Sequence, residues 1–170
     1  MDFSRKEIQK MIALNRKPLN LVGANLEGVD LSALDLREAN LRRVILKGAT
    51  LREVDLSGAD LSYCDMEYAD LSLASLNSSF LAFTNLRNSN LNGTDFKNAI
   101  IINSIASKSM GQVDSCSLCT KGGQIKGIIL THRDGISGDR VVRFIHYNHS
   151  RFNQILDAVR RAGLVTNEID

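Results

Sequence analysis

Cysteine is scarce in this chain, and its three residues are an odd number, so a disulfide framework is not expected and a reducing compartment fits better. No apolar run approaches the roughly 18 residues of a membrane span, and the opening MDFSRKEIQKMIALNRK holds no signal-peptide core. These absences predict a cytoplasmic protein without a membrane partner. Charge of one sign is lacking too: the net charge is +2, which excludes a strongly basic or strongly acidic protein. No Ser/His/Asp constellation, paired catalytic carboxylates or nucleotide fingerprint is present. Lys121-Gly122-Gly123 is a lone glycine pair, not a phosphate loop. No cofactor and no enzymatic activity are expected.

The small net charge hides an asymmetry. Residues 1–18 carry +3, residues 19–103 carry −4 and residues 104–170 carry +3. Arg140, Arg143, Arg151, Arg160 and Arg161 crowd the C-terminal part, but no recognition motif accompanies them, and direct nucleic-acid binding is not expected.

What the chain does have is a repeat of period five. An apolar residue recurs at every fifth position from Leu21 to Ile101, and it is Leu except at Met66, Phe96 and Ile101. Leu26, Leu31, Leu36, Leu41, Leu56, Leu61, Leu71 and Leu91 are expected core positions. Two residues before each centre stands a small or compact side chain, with Asn or Asp usually between. Period five fits neither a helix nor a plain strand. It fits a chain that turns a corner every five residues, with two positions inward and three outward. Cys64 falls in a small-residue slot and reads as a packing thiol.

Ala24-Asn25-Leu26, Ala39-Asn40-Leu41, Ala59-Asp60-Leu61 and Ala69-Asp70-Leu71 resemble the A(D/N)LXX signature of the pentapeptide-repeat family. The resemblance implies a mainly β fold, a right-handed quadrilateral β-helix with four pentapeptides per coil. Residues twenty apart would then stand in columns. At the strand spacing of about 4.8 Å, residues 19–103 would make a rod on the order of 20 Å tall.

Solenoid ends need covering. Ser4-Arg5-Lys6-Glu7 has capping-box spacing, and Ile8, Met11 and Ile12 form a stripe. This predicts a capping helix over about 5–14 within residues 1–18, stopped before Pro18.

The columns sort the outward residues. Glu27, Lys47, Glu67 and Arg87 make an ion-pair ladder. The Asp column at 35, 55 and 95 is expected to bond backbone amides at the corners. Tyr63, Phe80, Ala82, Phe83, Ile100 and Ile102 cluster on one corner. Apolar residues so grouped mark a contact surface, either for the folded-back C-terminal segment or for a homodimer or protein partner. Tyr63, Phe80, Phe83, Ile100 and Ile102 are the candidate interface.

Within residues 104–170, residues 104–123 read as irregular coil. Gln124–His132 and Arg140–Tyr147 read as a hairpin closed by a turn at 134–139. Ser150 is placed to N-cap a helix with Phe152, Ile155, Leu156 and Val159 on one face, ending near Gly163. This predicts a small β-β-α segment. Cys116, Cys119, His146 and His149 are the zinc candidates, against the plainer reading of a polar loop.

Three functions compete. The first is a non-catalytic interaction or scaffolding module whose rigid faces bind a protein partner. The second follows from the resemblance: some pentapeptide-repeat proteins are thought to imitate duplex DNA and engage DNA gyrase or related topoisomerases. A duplex carries one charge per about 1.7 Å, and a repeat at −4 with Arg42, Arg43, Lys47 and Arg52 on its early coils matches that poorly. The third is a zinc-binding or enzymatic C-terminal segment.

Overall fold

Backbone bridges join residues twenty apart in parallel, from Asn20–Asn40 and Asn25–Ile45 down to Asp70–Asn90 and Ser75–Asp95. Four five-residue units therefore make one coil of a β-helix solenoid. The computed structural model describes residues 2–14, 18–102, 104–106, 113–121, 124–133, 140–146 and 151–169. Of these, 105–106, 113–121, 124–133, 140–146 and 166–169 are described by backbone alone.

One unit, Ala24-Asn25-Leu26-Glu27-Gly28, shows why the sequence repeats as it does. The Ala24 N–H closes a turn on the Leu21 carbonyl at 2.9 Å. The Leu26 N–H donates to the Ile45 carbonyl of the next coil at 2.7 Å, and the Gly28 N–H to that of Lys47 at 2.9 Å. Between coils, the Ile45 N–H returns to the Ala24 carbonyl at 3.0 Å, and lower coils repeat this at the Asn/Asp position. The N–H that follows each centre has no place in this scheme, and at Glu27 the Asn25 side-chain oxygen takes it at 3.2 Å. The same bond recurs from Ser32 to Asp30, Arg37 to Asp35, Ser57 to Asp55, Ser62 to Asp60 and Lys97 to Asp95. Asn and Asp recur because each supplies an acceptor that the main chain lacks.

The corner follows from the same unit. Each fifth residue from Gly23 to Asn98 has positive φ, which is the signature of the third residue of a type II turn. Many of these residues are not glycine. Arg43, Tyr63, Tyr68, Leu73 and Phe83 all stand there with φ of 57 to 62°. Each costs about 1–2 kcal/mol of backbone strain, which the ladder bonds above and below offset.

The core is two sets of stacked columns. Leu26, Leu31, Leu36, Leu41, Leu56, Leu61 and Leu71 are all buried to within 1% of complete, while Leu91 in the last coil is 7% exposed. Each buried leucine contributes roughly 1.5–3 kcal/mol of transfer free energy. The small slot holds Ala or Val in the upper coils and hydroxyls lower down, and the hydroxyls stay satisfied. Ser79 donates to the Leu76 carbonyl at 2.7 Å, Thr84 to Leu61 at 2.8 Å and Ser104 to Leu81 at 2.9 Å. The register thus runs past Ile101. Ser104 fills a small slot, and Asn85 and Leu86 pair in parallel with Ile105 and Ala106.

Helix α1 spans Arg5–Ala13, and its N-terminus is a complete capping box between Ser4 and Glu7. Ile8 is fully buried. Arg5 has a further role. Its guanidinium donates to the carbonyls of Asp30 and Ser32, both at 2.9 Å, and meets the Asp30 carboxylate at 3.2 Å. One coil down, the N–H groups of Leu31 and Ala33 donate to the carbonyls of Thr50 and Arg52. Arg5 therefore occupies the place of the two N–H donors that a preceding coil would supply.

Replacing Arg5 with Ala is expected to lower stability by about 1–3 kcal/mol, read as a shift in urea midpoint. Lys should rescue only partly, because an ammonium has no fork to span two carbonyls. Acid weakens the same corner. Hydrogen bonds from the Ser4 amide and hydroxyl hold the Glu7 carboxyl below its ordinary pKa, and those from Ser32 do so for Asp30. Their stabilisation is present above the unfolded carboxylate pKa of about 4 and is lost as pH falls. Hydrogen exchange in α1 should therefore accelerate in acid before that of the middle coils.

The chain divides into two compact units, Met1–Ile100 with Ser104–Ser107, and Ile101–Asn103 with Lys108–Asp170. The first contains α1 and the coils, whose strands include β1 (Phe80–Ala82), β2 (Asn85–Leu86) and β4 (Ile105–Ala106); β3 (Ile100–Ile102) straddles the division. The second unit is a four-stranded sheet in the order β7-β6-β5-β8. It is built from β5 (Val113–Lys121), β6 (Gln124–Arg133), β7 (Arg140–His146) and β8 (Val165–Ile169), with α2 (Phe152–Arg161) between β7 and β8. Strands β5, β6 and β7 form an antiparallel meander, and β8 returns parallel to β5.

The expected β-β-α segment is therefore β-β-β-α-β. Residues 113–121 were expected as coil because Ser, Cys and Thr carry little hydrophobic signal, yet they form β5, one of the two inner strands. In α2 the buried residues are Phe152, Ile155, Ala158 and Val159, with Ala158 in place of the expected Leu156. Its C-terminus is followed by Gly163 at φ +65°. Ser150 and the turn at 134–139 lie outside the described residues.

Candidate interaction faces

The expected ion-pair column is partly formed. Lys47 meets Glu67 at 3.1 Å, and the Lys47 ammonium also lies 6.0 Å from the Tyr68 ring centroid. Arg37 grips Asp35 with two bonds of 2.8 Å and approaches Asp55 at 3.7 Å. Arg52 reaches Asp70 at 3.6 Å. These pairs are exposed and screened by solvent, and the coils keep the net −4 of residues 19–103.

The five candidate interface residues part company. Phe80, Ile100 and Ile102 are buried, at 2%, 8% and 0% exposure, and Ala82 with them. Tyr63 and Phe83 are half-buried and stacked, with ring centroids 5.1 Å apart at 11°. Arg43 lies 5.9 Å from the Tyr63 centroid. Positions 43, 63 and 83 are one corner column, so the twenty-residue offset itself builds an Arg–Tyr–Phe stack worth about 0.5–1.5 kcal/mol per contact.

The exposed apolar residues lie elsewhere on the coils. Tyr68 and Leu73 are 59% and 57% exposed, at consecutive corners of one coil. Between them lie Asp70, half-buried, and Ser72, buried. Sequence reasoning passed over this pair. Its signal was a bulky residue at the fifth position of two adjacent units, where Gly, Ser and Asn are otherwise common.

The zinc candidates are placed by backbone only. Cys116 is opposite Leu130, Cys119 is opposite Gly127, and Gly127 is opposite His146. His149 lies outside the described residues. Among the residues described with their side chains, which do not include these candidates, no group of three or more His, Cys, Asp or Glu is arranged to hold a metal.

Cys64 is buried at 2% exposure and donates to the Leu41 carbonyl at 2.8 Å. Burial pushes its thiol up to about 12. A thiol reagent should leave it unmodified in the folded protein and label it on unfolding, read by mass. The unfolded thiol titrates near about 8.5, so the stabilisation from the neutral form holds below that pH and is lost as pH rises towards 12.

Coils of four five-residue units, inward leucines, small partners and Asx-bonded corners define a pentapeptide β-helix. The chain belongs to the pentapeptide-repeat family, whose sequence model matches in eight copies over residues 20–58, 46–77, 55–93 and 81–109. No curated protein matches it. Among solved structures it is similar to a pentapeptide repeat protein from Nostoc PCC 7120, at 28% identity over 64% of this chain and 89% of that one, with a TM-score of 0.59. A second, from the Arabidopsis thaliana thylakoid lumen, is 33% identical over 52% of this chain and 65% of that one, with a TM-score of 0.31. The plasmid-mediated fluoroquinolone resistance protein QnrB1 is 19% identical over 69% and 60%, with a TM-score of 0.35. No helix among the described residues is long and apolar enough to cross a membrane.

Proposed function

We propose that the chain is a non-catalytic interaction module that offers rigid β-helix faces to a protein partner. The supporting observation is how completely the repeat is committed. Most main-chain amides of the coils, the inward leucines and the Asn/Asp acceptors are engaged in holding the coil, so binding falls to the remaining outward side chains. Tyr68 and Leu73 are the large apolar residues among them that remain more than half exposed on adjacent corners. Aromatic and leucine side chains on a rigid wall bury area at little entropic cost. Affinity capture from the source cell with the immobilised chain tests this. A Tyr68→Ala, Leu73→Asp double variant should lose at least roughly tenfold of the captured partner; undiminished capture would move the binding face elsewhere.

DNA mimicry towards gyrase is less well supported. The ion pairs of Arg37, Lys47 and Arg52 offset the carboxylates that such a mimic needs. Inhibition of purified gyrase in a supercoiling assay would reverse that preference.

A further inference from the structure

Chain-wide, Asn92-Gly93 is the lone Asn-Gly pair, and it sits at an exposed corner of the last coils. Asn92 and Gly93 are the two central residues of the turn that the Thr94 N–H closes on the Leu91 carbonyl at 3.3 Å. We propose that this pair is an intrinsic modification site, at which the Asn92 side-chain amide converts through a cyclic imide to aspartate and isoaspartate.

The chemistry needs a main-chain nitrogen that can lose its proton and reach the preceding side-chain carbonyl carbon. At most asparagines of the coils that nitrogen is held. After Asn20, Asn25 and Asn40 come Leu21, Leu26 and Leu41, whose N–H groups donate to the next coil at 2.7–2.9 Å. After Asn77, the Ser78 N–H donates to the Lys97 carbonyl at 2.8 Å. After Asn88 and Asn98, the Ser89 and Ala99 N–H groups close turns on Leu86 and Phe96 at 3.3 and 3.0 Å. The Gly93 N–H has no acceptor among the described residues, whereas its column neighbour Leu73 donates to the Asn92 carbonyl at 3.0 Å. Asn90 precedes the bulky Leu91, whose side chain crowds the approach.

Glycine takes this position without strain, whereas a larger residue would have to displace the exposed Leu73 side chain. A Cβ on Gly93 would lie 2.7 Å from Leu73 Cδ2, and φ there is +71°. The corner therefore favours the residue that leaves the nitrogen least shielded.

The balance of the step is simple. The Gly93 nitrogen gives its proton to solvent base and bonds to Asn92 Cγ. The Cγ–Nδ2 bond breaks, and ammonia leaves with a proton from water. Water then opens the imide. Cleavage between Cγ and the Gly93 nitrogen leaves aspartate at position 92. Cleavage between that nitrogen and the main-chain carbonyl leaves isoaspartate. Both products add a negative charge to the wall that already carries Asp70. Isoaspartate also inserts an extra carbon into the main-chain path, which breaks the five-residue register where the Asn92 carbonyl accepts from Leu73 and the Thr94 N–H closes the turn on Leu91.

The folded, full-length protein is incubated in mildly alkaline and mildly acidic buffer and mapped by peptide mass, with isoaspartate read by enzymatic methylation. The expected result is a product about 1 Da heavier at position 92. It should form faster in alkali and at least roughly tenfold faster than at Asn88, Asn90 or Asn98. Asn92→Gln should abolish the product. Gly93→Ala combined with Leu73→Ala, which makes room for the methyl group, should slow it by a similar factor. The proposal is overturned if Asn92 stays intact while another asparagine converts, or if it converts only in denaturant.

Discussion

Replacing Leu61 with Ala should destabilise the protein by about 2–5 kcal/mol, among the largest losses available to a single methyl-scale deletion. Leu61 has no exposed surface, and Leu41 and Leu81 above and below it in its column are buried to within 1%. The cavity would be walled by other coils whose positions are fixed by ladder bonds, so little collapse can relieve it. Leu91→Ala provides the contrast. That side chain is already 7% exposed and belongs to the last coils. Its loss should cost half as much or less, because a solenoid's stability sums local units and their neighbours. Urea unfolding of the two variants decides it; equal losses would mean that the columns do not carry the stability.

Asp60→Ala should be the second large loss, at about 1–3 kcal/mol. Asp60 and Ser62 are 5% and 3% exposed. The Asp60 carboxylate accepts the Ser62 amide at 3.1 Å and the Ser62 hydroxyl at 2.6 Å. Alanine would leave both donors buried and unpaired. Asp60→Asn keeps an oxygen at the same place and should cost less than about 1 kcal/mol. If asparagine proves as harmful as alanine, charge rather than acceptor geometry holds the corner. The pairing explains why the sequence exchanges Asn and Asp freely at this position of the repeat.

The repeat was legible because burial acts on it directly. An inward position tolerates only a few residue types, and the same demand recurs every five residues. The role of Asn and Asp was half legible: Asp35, Asp55 and Asp95 suggested corner bonds, but the reason lies in a backbone donor left over by the coil. The continuation through Ser104 and Ala106 was hidden because alanine is a weak centre beside leucine. Strand β5 was hidden for a related reason, since its Ser, Cys and Thr residues are placed by pairing with β6 and β8 rather than by their own hydrophobicity. For the candidate site, sequence columns brought Tyr63 and Phe83 to one corner with Phe80, Ile100 and Ile102, but did not separate the half-buried pair from the three buried residues. Exposure depends on what lies beside a residue in space, and a linear register carries only what lies above and below it.

The twenty-residue offset between bridged positions has a consequence for length changes within the coils. Excising one whole coil would shorten the stack by a storey and leave every remaining wall facing as before. Excising a single five-residue unit would preserve each local bond pattern, yet turn everything beneath the cut by a quarter revolution. Tyr68 and Leu73 would then look in a new direction relative to Arg5, although no contact within their own units had changed. Such a chain can vary its height in steps of twenty residues and its facing in steps of five.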